Sequence, residues 1–418
     1  MVAVTVEQNS KRWLAAEGTG LVLLGIILVA LNLRPAVTSL GALLDEVRAG
    51  LHLSGTMAGL VTTLPVLSFA AFGALTPALA RRFGPHRILS SSVALLAAGL
   101  VARALTDSAL VFFVTSALAL AGIASANVLL PGLVKHHFPD KVGLVTGAYT
   151  MTLTLGALLA AATTVPVAHA LGGWHAGLAI WAGVAAVAVL PWLFLRRRDR
   201  GLDSAAAARS AVRPSRTAIG WALAVYFGTQ SLNAYVIMGW LPQIYRDSGF
   251  SANTAGLLVA GIMATGIPLA FFMPSLAARR PDQRIVVVAL NACYAVAYLG
   301  LLLAPVQGVL VWTLLFGLGQ GAFPLALAMI GLRSRTPEGT VALSAFAQSA
   351  GYLIAALGPM LVGTLYATTG GWTAPLLVLL AVVAVQGGAG LLAGRPRYLE
   401  DTALTHREDA AFSRKEPQ

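Results

Sequence analysis

The residue in this chain best suited to chemistry is Arg34. It is the only charge between Gly18 and Leu44, it sits in "LVALNLRPAVTSL" (Leu28 to Leu40), and Pro35 follows it directly. A cation at the centre of an apolar helix costs about 2.5–3.5 kcal/mol on insertion scales, so something must offset it. The planar guanidinium fork matches carboxylate-like groups bidentately, which points to a side chain facing a cavity and holding an anionic or electron-rich solute. Two structural alternatives stand beside that reading. Pro35 has no N–H, so the Leu31 carbonyl loses its helical donor and can accept from Arg34 instead. The side chain can also extend toward the outer interface.

No acid is placed to neutralise Arg34. All 16 Asp and Glu fall in loops, tails or helix ends, which closes the intramembrane carboxylate route often used for proton relay. The seven histidines map likewise to loops or helix ends, with His169 nearest to a span. The single cysteine, Cys293, excludes a disulfide framework and a cysteine-based metal site. Without clustered His, Asp, Glu or Cys at depth, the sequence predicts no enzyme, no metal site and no cofactor.

Uncharged polar residues fall in stripes instead. Tyr226, Gln230 and Asn233 share one helical face. Ser344, Gln348 and Tyr352 share another, and Thr146, Thr150 and Thr154 occupy the equivalent positions 198 residues earlier. Agreement between the last two stripes suggests that both face a common interface. With Asn32, Tyr149 and Gln320 near the same depth, the candidate solute contacts are Arg34, Asn32, Tyr149, Gln230, Asn233, Gln320, Gln348 and Tyr352. The competing use of each is hydrogen bonding that glues helices together.

These residues must be positioned by membrane-spanning helices. Of the 418 residues 57% are hydrophobic and 11% charged, against roughly 25% charged in soluble domains, and the mean hydropathy is +0.79. A span needs about 20 apolar residues. Twelve segments qualify: 18–43, 54–80, 88–106, 109–132, 142–168, 173–195, 218–244, 253–278, 285–304, 308–332, 340–367 and 372–393. The expected organisation is a segment 1–17, a six-helix half 18–195, a basic linker 196–217, a second six-helix half 218–393 and a tail 394–418. The tail beyond Arg395 reads as polar and disordered.

If the N-terminus is cytoplasmic, 24 of the 28 Lys and Arg fall on that side. Only Arg48, Arg103 and Arg246 fall opposite, and Arg34 stays in the membrane. That bias fixes the orientation, with both termini cytoplasmic. It also assigns the net charge of +12 to topology, with no nucleic-acid partner.

The halves repeat each other. "LSGTMAGLV" (Leu53 to Val61) parallels "FSANTAGLL" (Phe250 to Leu258) at an offset of 197, which also carries Pro77 onto Pro274 and Arg87 onto Arg284. Ser54 and Ser251 stand where an N-cap would open a helix. Such a parallel repeat signals two halves related by an axis along the membrane normal. Among the small residues, Gly143 and Gly147 form GxxxG, a close-approach signal, whereas "GLGQG" (Gly317 to Gly321) lies inside a span and carries no nucleotide role. Trp13, Trp174, Trp192, Trp240 and Trp372 lie near span ends and read as interfacial anchors.

The whole chain resembles the major facilitator superfamily. The loop "GALTPALARRFGPHR" (Gly73 to Arg87) is similar to its inter-helix motif, with Gly73, Arg82, Gly84 and Arg87 fitting and Arg81 in place of the Asp on which that motif's charge relay depends. Within the superfamily, "LNLRPAVTSLGALL" and "LPGLVKHHFPDKVGLVTGAYT" (Leu130 to Thr150) resemble the cyanate permease and 2-nitroimidazole efflux family. The resemblance implies an all-α fold of twelve helices in two halves. It also implies alternating-access transport of a small polar or anionic solute, by a monomer in the bacterial cytoplasmic membrane. The rival readings are an efflux carrier for neutral compounds and a non-transporting sensor built on a transporter fold.

Overall fold

The computed structural model describes residues 19–53, 55–195 and 213–401, all of them in helices and short connections with no strand. The segment 1–17, most of the linker 196–217 and the tail beyond Asp401 lie outside the described residues.

Twelve helical spans follow the apolar segments closely. The first is two helices, 19–32 and Pro35–Ala42. The second to sixth are Gly55–Phe83, Pro85–Ala104, Ala109–His137, Val142–Leu171 and Trp174–Leu195. The seventh to ninth are Ala218–Asp247, Ala252–Ala278 and Arg284–Leu303. The tenth is again two helices, Val309–Gly319 and Ala322–Leu332, followed by Pro337–Thr369 and Thr373–Ala393. Among the described residues, eleven spans are long and apolar enough to cross a bilayer by themselves. The other, Ala218–Asp247, is 30 residues long and is diluted by Thr229, Gln230, Ser231 and Asn233.

Local chemistry sets the ends. Ser251 accepts from the Thr254 amide at 3.1 Å, as its sequence position predicts. Thr217 and Thr336 cap the seventh and eleventh spans in the same way, on the Gly220 and Gly339 amides. Ser54 lies outside the described residues. Gly84, at φ +89°, turns the second span into the third, and Pro85 begins the new helix at a position that needs no N–H. That conformation explains the glycine of the loop motif.

The halves meet along a seam on the side of the basic loops. Gly143 and Gly147 of the fifth span press on the eighth. A Cβ at Gly147 would sit 2.3 Å from the Phe271 carbonyl oxygen, and one at Gly143 would sit 2.9 Å from that of Pro274. The Thr150 hydroxyl donates across the seam to the Ala270 carbonyl, and the Gln348 amide donates to the Asn127 carbonyl at 3.3 Å. Both polar stripes therefore do face the shared interface.

Two expectations are corrected. Trp192 is wholly buried against Gly25, and Trp174 packs edge-on against Phe112, so neither is an interfacial anchor. Their indoles fill gaps that glycine or small side chains leave within the first half. The tail is ordered as far as Asp401, because Leu399 is fully buried and its amide bonds the Arg333 carbonyl at 2.8 Å.

Candidate functional site

The site begins at the break in the first span. Leu33 and Arg34 form a turn, and the Arg34 carbonyl accepts from the Val37 and Thr38 amides, both at 3.0 Å. The Leu31 carbonyl, freed by Pro35, faces Gly156 of the fifth span, where a Cβ would lie 2.2 Å from that oxygen. Only a glycine leaves room for that approach. The Arg34 guanidinium is half-buried and, among the described residues, makes no hydrogen bond or ion pair. It lies 5.3 Å from the centroid of the Phe323 ring, within the range of a cation–π contact.

Phe323 stands immediately after the break in the tenth span, where Gln320 and Gly321 interrupt the helix. The two broken spans, one from each half, thus meet at the Arg34–Phe323 contact. From there a ladder of rings leads across the bundle. Phe323 lies 5.9 Å from Phe227, Phe227 lies 5.2 Å from Tyr352, and Tyr352 lies 4.9 Å from Phe69. Five spans thus contribute to a cation set beside an aromatic wall. No Asp or Glu among the residues whose side chains are described is buried.

The other candidates divide by what already satisfies them. Asn233 is fully engaged inside the second half. Its amide donates to the Gln386 side chain at 3.0 Å and to the Thr229 carbonyl, and its oxygen accepts from Tyr298 at 2.9 Å. Asn32 donates to the Leu28 and Val184 carbonyls, which ties the first span to the sixth. Gln348 is held by Ser344 and Asn127 in the seam. Gln320 is half-buried at its break and accepts from Tyr294 at 3.3 Å. Tyr149 and Gln230 are buried with a hydroxyl and an amide oxygen that have no partner. The structure therefore brings Arg34 and Tyr352 onto one ring ladder, leaves Tyr149, Gln230 and the Oδ1 of Asn32 with bonding capacity, and commits Asn233 and Gln348 to holding helices. The rings of Phe69, Phe227 and Phe323 carry no sequence signal, since aromatic residues in an apolar span read equally as lipid-facing.

Comparison with known proteins gives the family. The sequence profile of the Major Facilitator Superfamily matches residues 22–232 and 223–414. The chain belongs to the major facilitator superfamily. Its similar relatives include the 2-nitroimidazole transporter of Escherichia coli (strain K12), 36% identical over 89% of this chain and 95% of that protein. The cyanate transport protein CynX of the same organism is 30% identical over 84% of this chain and 91% of its own length. An uncharacterized transporter of Bacillus subtilis (strain 168), YycB, is 40% identical over 90% and 94%. Among solved structures, the transporter FucP in its outward conformation aligns with a TM-score of 0.67 at 14% identity, covering 89% of this chain and 98% of that one. The fold and the relatives are those of membrane transporters, not of enzymes.

In this superfamily member the loop motif after the second span is exposed at Arg82 and Arg87, with Arg82 resting on Phe83. Gly73 instead faces the Ser349 side chain, where a Cβ would lie 2.7 Å from the hydroxyl. The polar tie between halves comes from elsewhere. Lys135, at the end of the fourth span, donates to the Gly331 carbonyl at 3.0 Å and to the Ser334 carbonyl at 2.5 Å. Beside it, Glu400 of the tail accepts from the Ser334 hydroxyl at 2.7 Å and from the Arg335 amide at 3.0 Å, closing the start of the eleventh span. Arg335 pairs with Asp401 at 2.8 Å.

Proposed function

We propose that this transporter moves a small anionic or polarised organic solute across the bacterial cytoplasmic membrane by alternating access. Arg34 is its main electrostatic contact. The observation that carries the reading is the meeting of two broken spans at a guanidinium without an ionic partner among the described residues, backed by the Phe323 ring. Cyanate is a linear anion and 2-nitroimidazole a planar nitro-aromatic. Both can accept from a guanidinium and lie against rings, and relatives bearing those names support a solute of this class. Tyr149, Gln230, Gln320 and Tyr352 would orient it, while Asn32, Asn233 and Gln348 brace the helices that carry the site. The seam on the basic-loop side would be the closed gate of an outward-facing state.

The test is flux of cyanate and of 2-nitroimidazole into proteoliposomes. A hydrogen bond to a charged group is worth about 1.5–3 kcal/mol, so Arg34→Ala should lower anion flux about 10- to 100-fold at subsaturating solute, with Arg34→Lys intermediate. Unchanged anion flux in Arg34→Ala would sink the reading. The ring ladder favours a second one, a carrier of neutral aromatic solutes. In that case Phe323→Ala would abolish nitroimidazole flux while Arg34→Ala left it intact.

A further inference from the structure

A second arginine is buried in the first half, away from Arg34. Arg103 closes the third span and is 1% exposed. Its sequence position puts it among the charges on the side opposite the basic loops. Its Nη1 donates to the Ala36 carbonyl at 3.0 Å, two residues past Arg34, and its guanidinium lies 6.0 Å from the Phe112 ring centroid. Its Nε and Nη2 have no hydrogen-bond partner, and neither does the buried hydroxyl of Ser116. Arg103 and Ser116 line one cavity of about 110 Å³, with Val37, Leu40, Leu64 and Pro65 among its apolar walls and no acidic side chain in its lining.

A buried cation with unused donors is strongly destabilising unless a counter-charge is supplied. A single backbone carbonyl supplies only a dipole. The space is ample for a polyatomic anion, since one water needs only about 10–15 Å³ on this measure. We infer that Arg103 and Ser116 form a second anion site, distinct from Arg34, that takes a small monovalent oxyanion or pseudohalide. The guanidinium offers Nε and Nη2 as a fork to two acceptor atoms, and the Ser116 hydroxyl donates a further bond. The apolar walls exclude large or multiply charged anions, whose remaining charge would stay unsolvated. Because Arg103 also holds the Ala36 carbonyl, occupancy bears on the helix that starts at the Arg34 break.

The test uses full-length purified protein carrying Arg34→Ala, so that the outcome does not depend on the proposed solute contact. Nitrate is titrated at constant ionic strength against gluconate, and thermal stability is read. A saturable rise in Tm is expected, at least tenfold weaker in midpoint with Ser116→Ala and absent with Arg103→Gln. If Arg103→Gln does not fold, Ser116→Leu, which fills the cavity while keeping the arginine, should abolish the rise. Absence of any nitrate effect in Arg34→Ala, or its persistence in both Arg103→Gln and Ser116→Leu, would overturn the site. Cyanate competing with nitrate in the same protein identifies a station for the transported solute. Competition by chloride alone identifies a resident inorganic anion.

Discussion

Gln230 and Asn233 lie three positions apart on one helix, and the partners around each side chain set opposite expectations for them. Asn233 has both ends engaged by Gln386, Thr229 and Tyr298. Its removal leaves buried groups unpaired, so Asn233→Ala should lower stability by about 2–4 kcal/mol without changing solute affinity, as thermal unfolding and binding titration would show. Gln230 leaves its Oε1 unpartnered in the interior. Gln230→Met should therefore raise stability by about 1 kcal/mol while reducing transport, and a mutant that is less stable with normal flux would contradict this. The sequence showed that both residues share a face with Tyr226. Helical spacing cannot say whether that face turns to the molecular centre or to its own half. Arg34 was legible because a lone charge in a long apolar run needs no neighbours to be conspicuous. Phe323, its cation–π partner, was not, because a ring in a membrane span looks the same against lipid, core or solute.

Helices were the most legible elements, since the length of each apolar run and the charges between runs follow directly from the bilayer's thickness and potential. Their breaks were only half legible. Pro35 announced the first, whereas the break at Gln320 and Gly321 sits in a glycine-rich run whose sequence does not show that the helix stops. Close approaches followed the same rule. GxxxG marked Gly143 and Gly147, but Gly156 carries no such mark although it meets the Leu31 carbonyl. Gly147→Val should force the fifth and eighth spans apart, since the added atoms would overlap the Phe271 backbone. Reactivity of a cysteine placed at Ser344, in a Cys293→Ser background, should then rise several-fold with a membrane-impermeant thiol reagent applied from the basic-loop side. Unchanged reactivity would show that the seam accommodates the side chain.

At the scale of the whole molecule, the basic-loop end is held by Lys135 against the carbonyls of Gly331 and Ser334, with Glu400 closing the same corner. Lys135→Met should loosen this end and shift the protein toward opening on the basic-loop side, read as faster labelling of a cysteine at Ser344 from that side. Burial opposes ionisation of Glu400, but the Ser334 hydroxyl and the Arg335 and Thr336 amides outweigh it and hold its carboxyl below the usual range. A depressed carboxylate contributes its stability above its unfolded pKa, about 4.3, and loses it as pH falls through the lower folded value. Unfolding in detergent should accordingly show a stability loss below about pH 4 that Glu400→Gln removes.

The same corner imposes an order on synthesis. Lys135 emerges early, its acceptors Gly331 and Ser334 follow about two hundred residues later, and Glu400 comes last of all. A nascent chain therefore holds a donor whose acceptors do not yet exist, and the start of its eleventh span stays uncovered until Glu400 has been made. The tie between the halves cannot form here before Ser334 has emerged, and a chain stopped at Gly394 would hold the Lys135 contacts yet lack the Glu400 closure of the eleventh span.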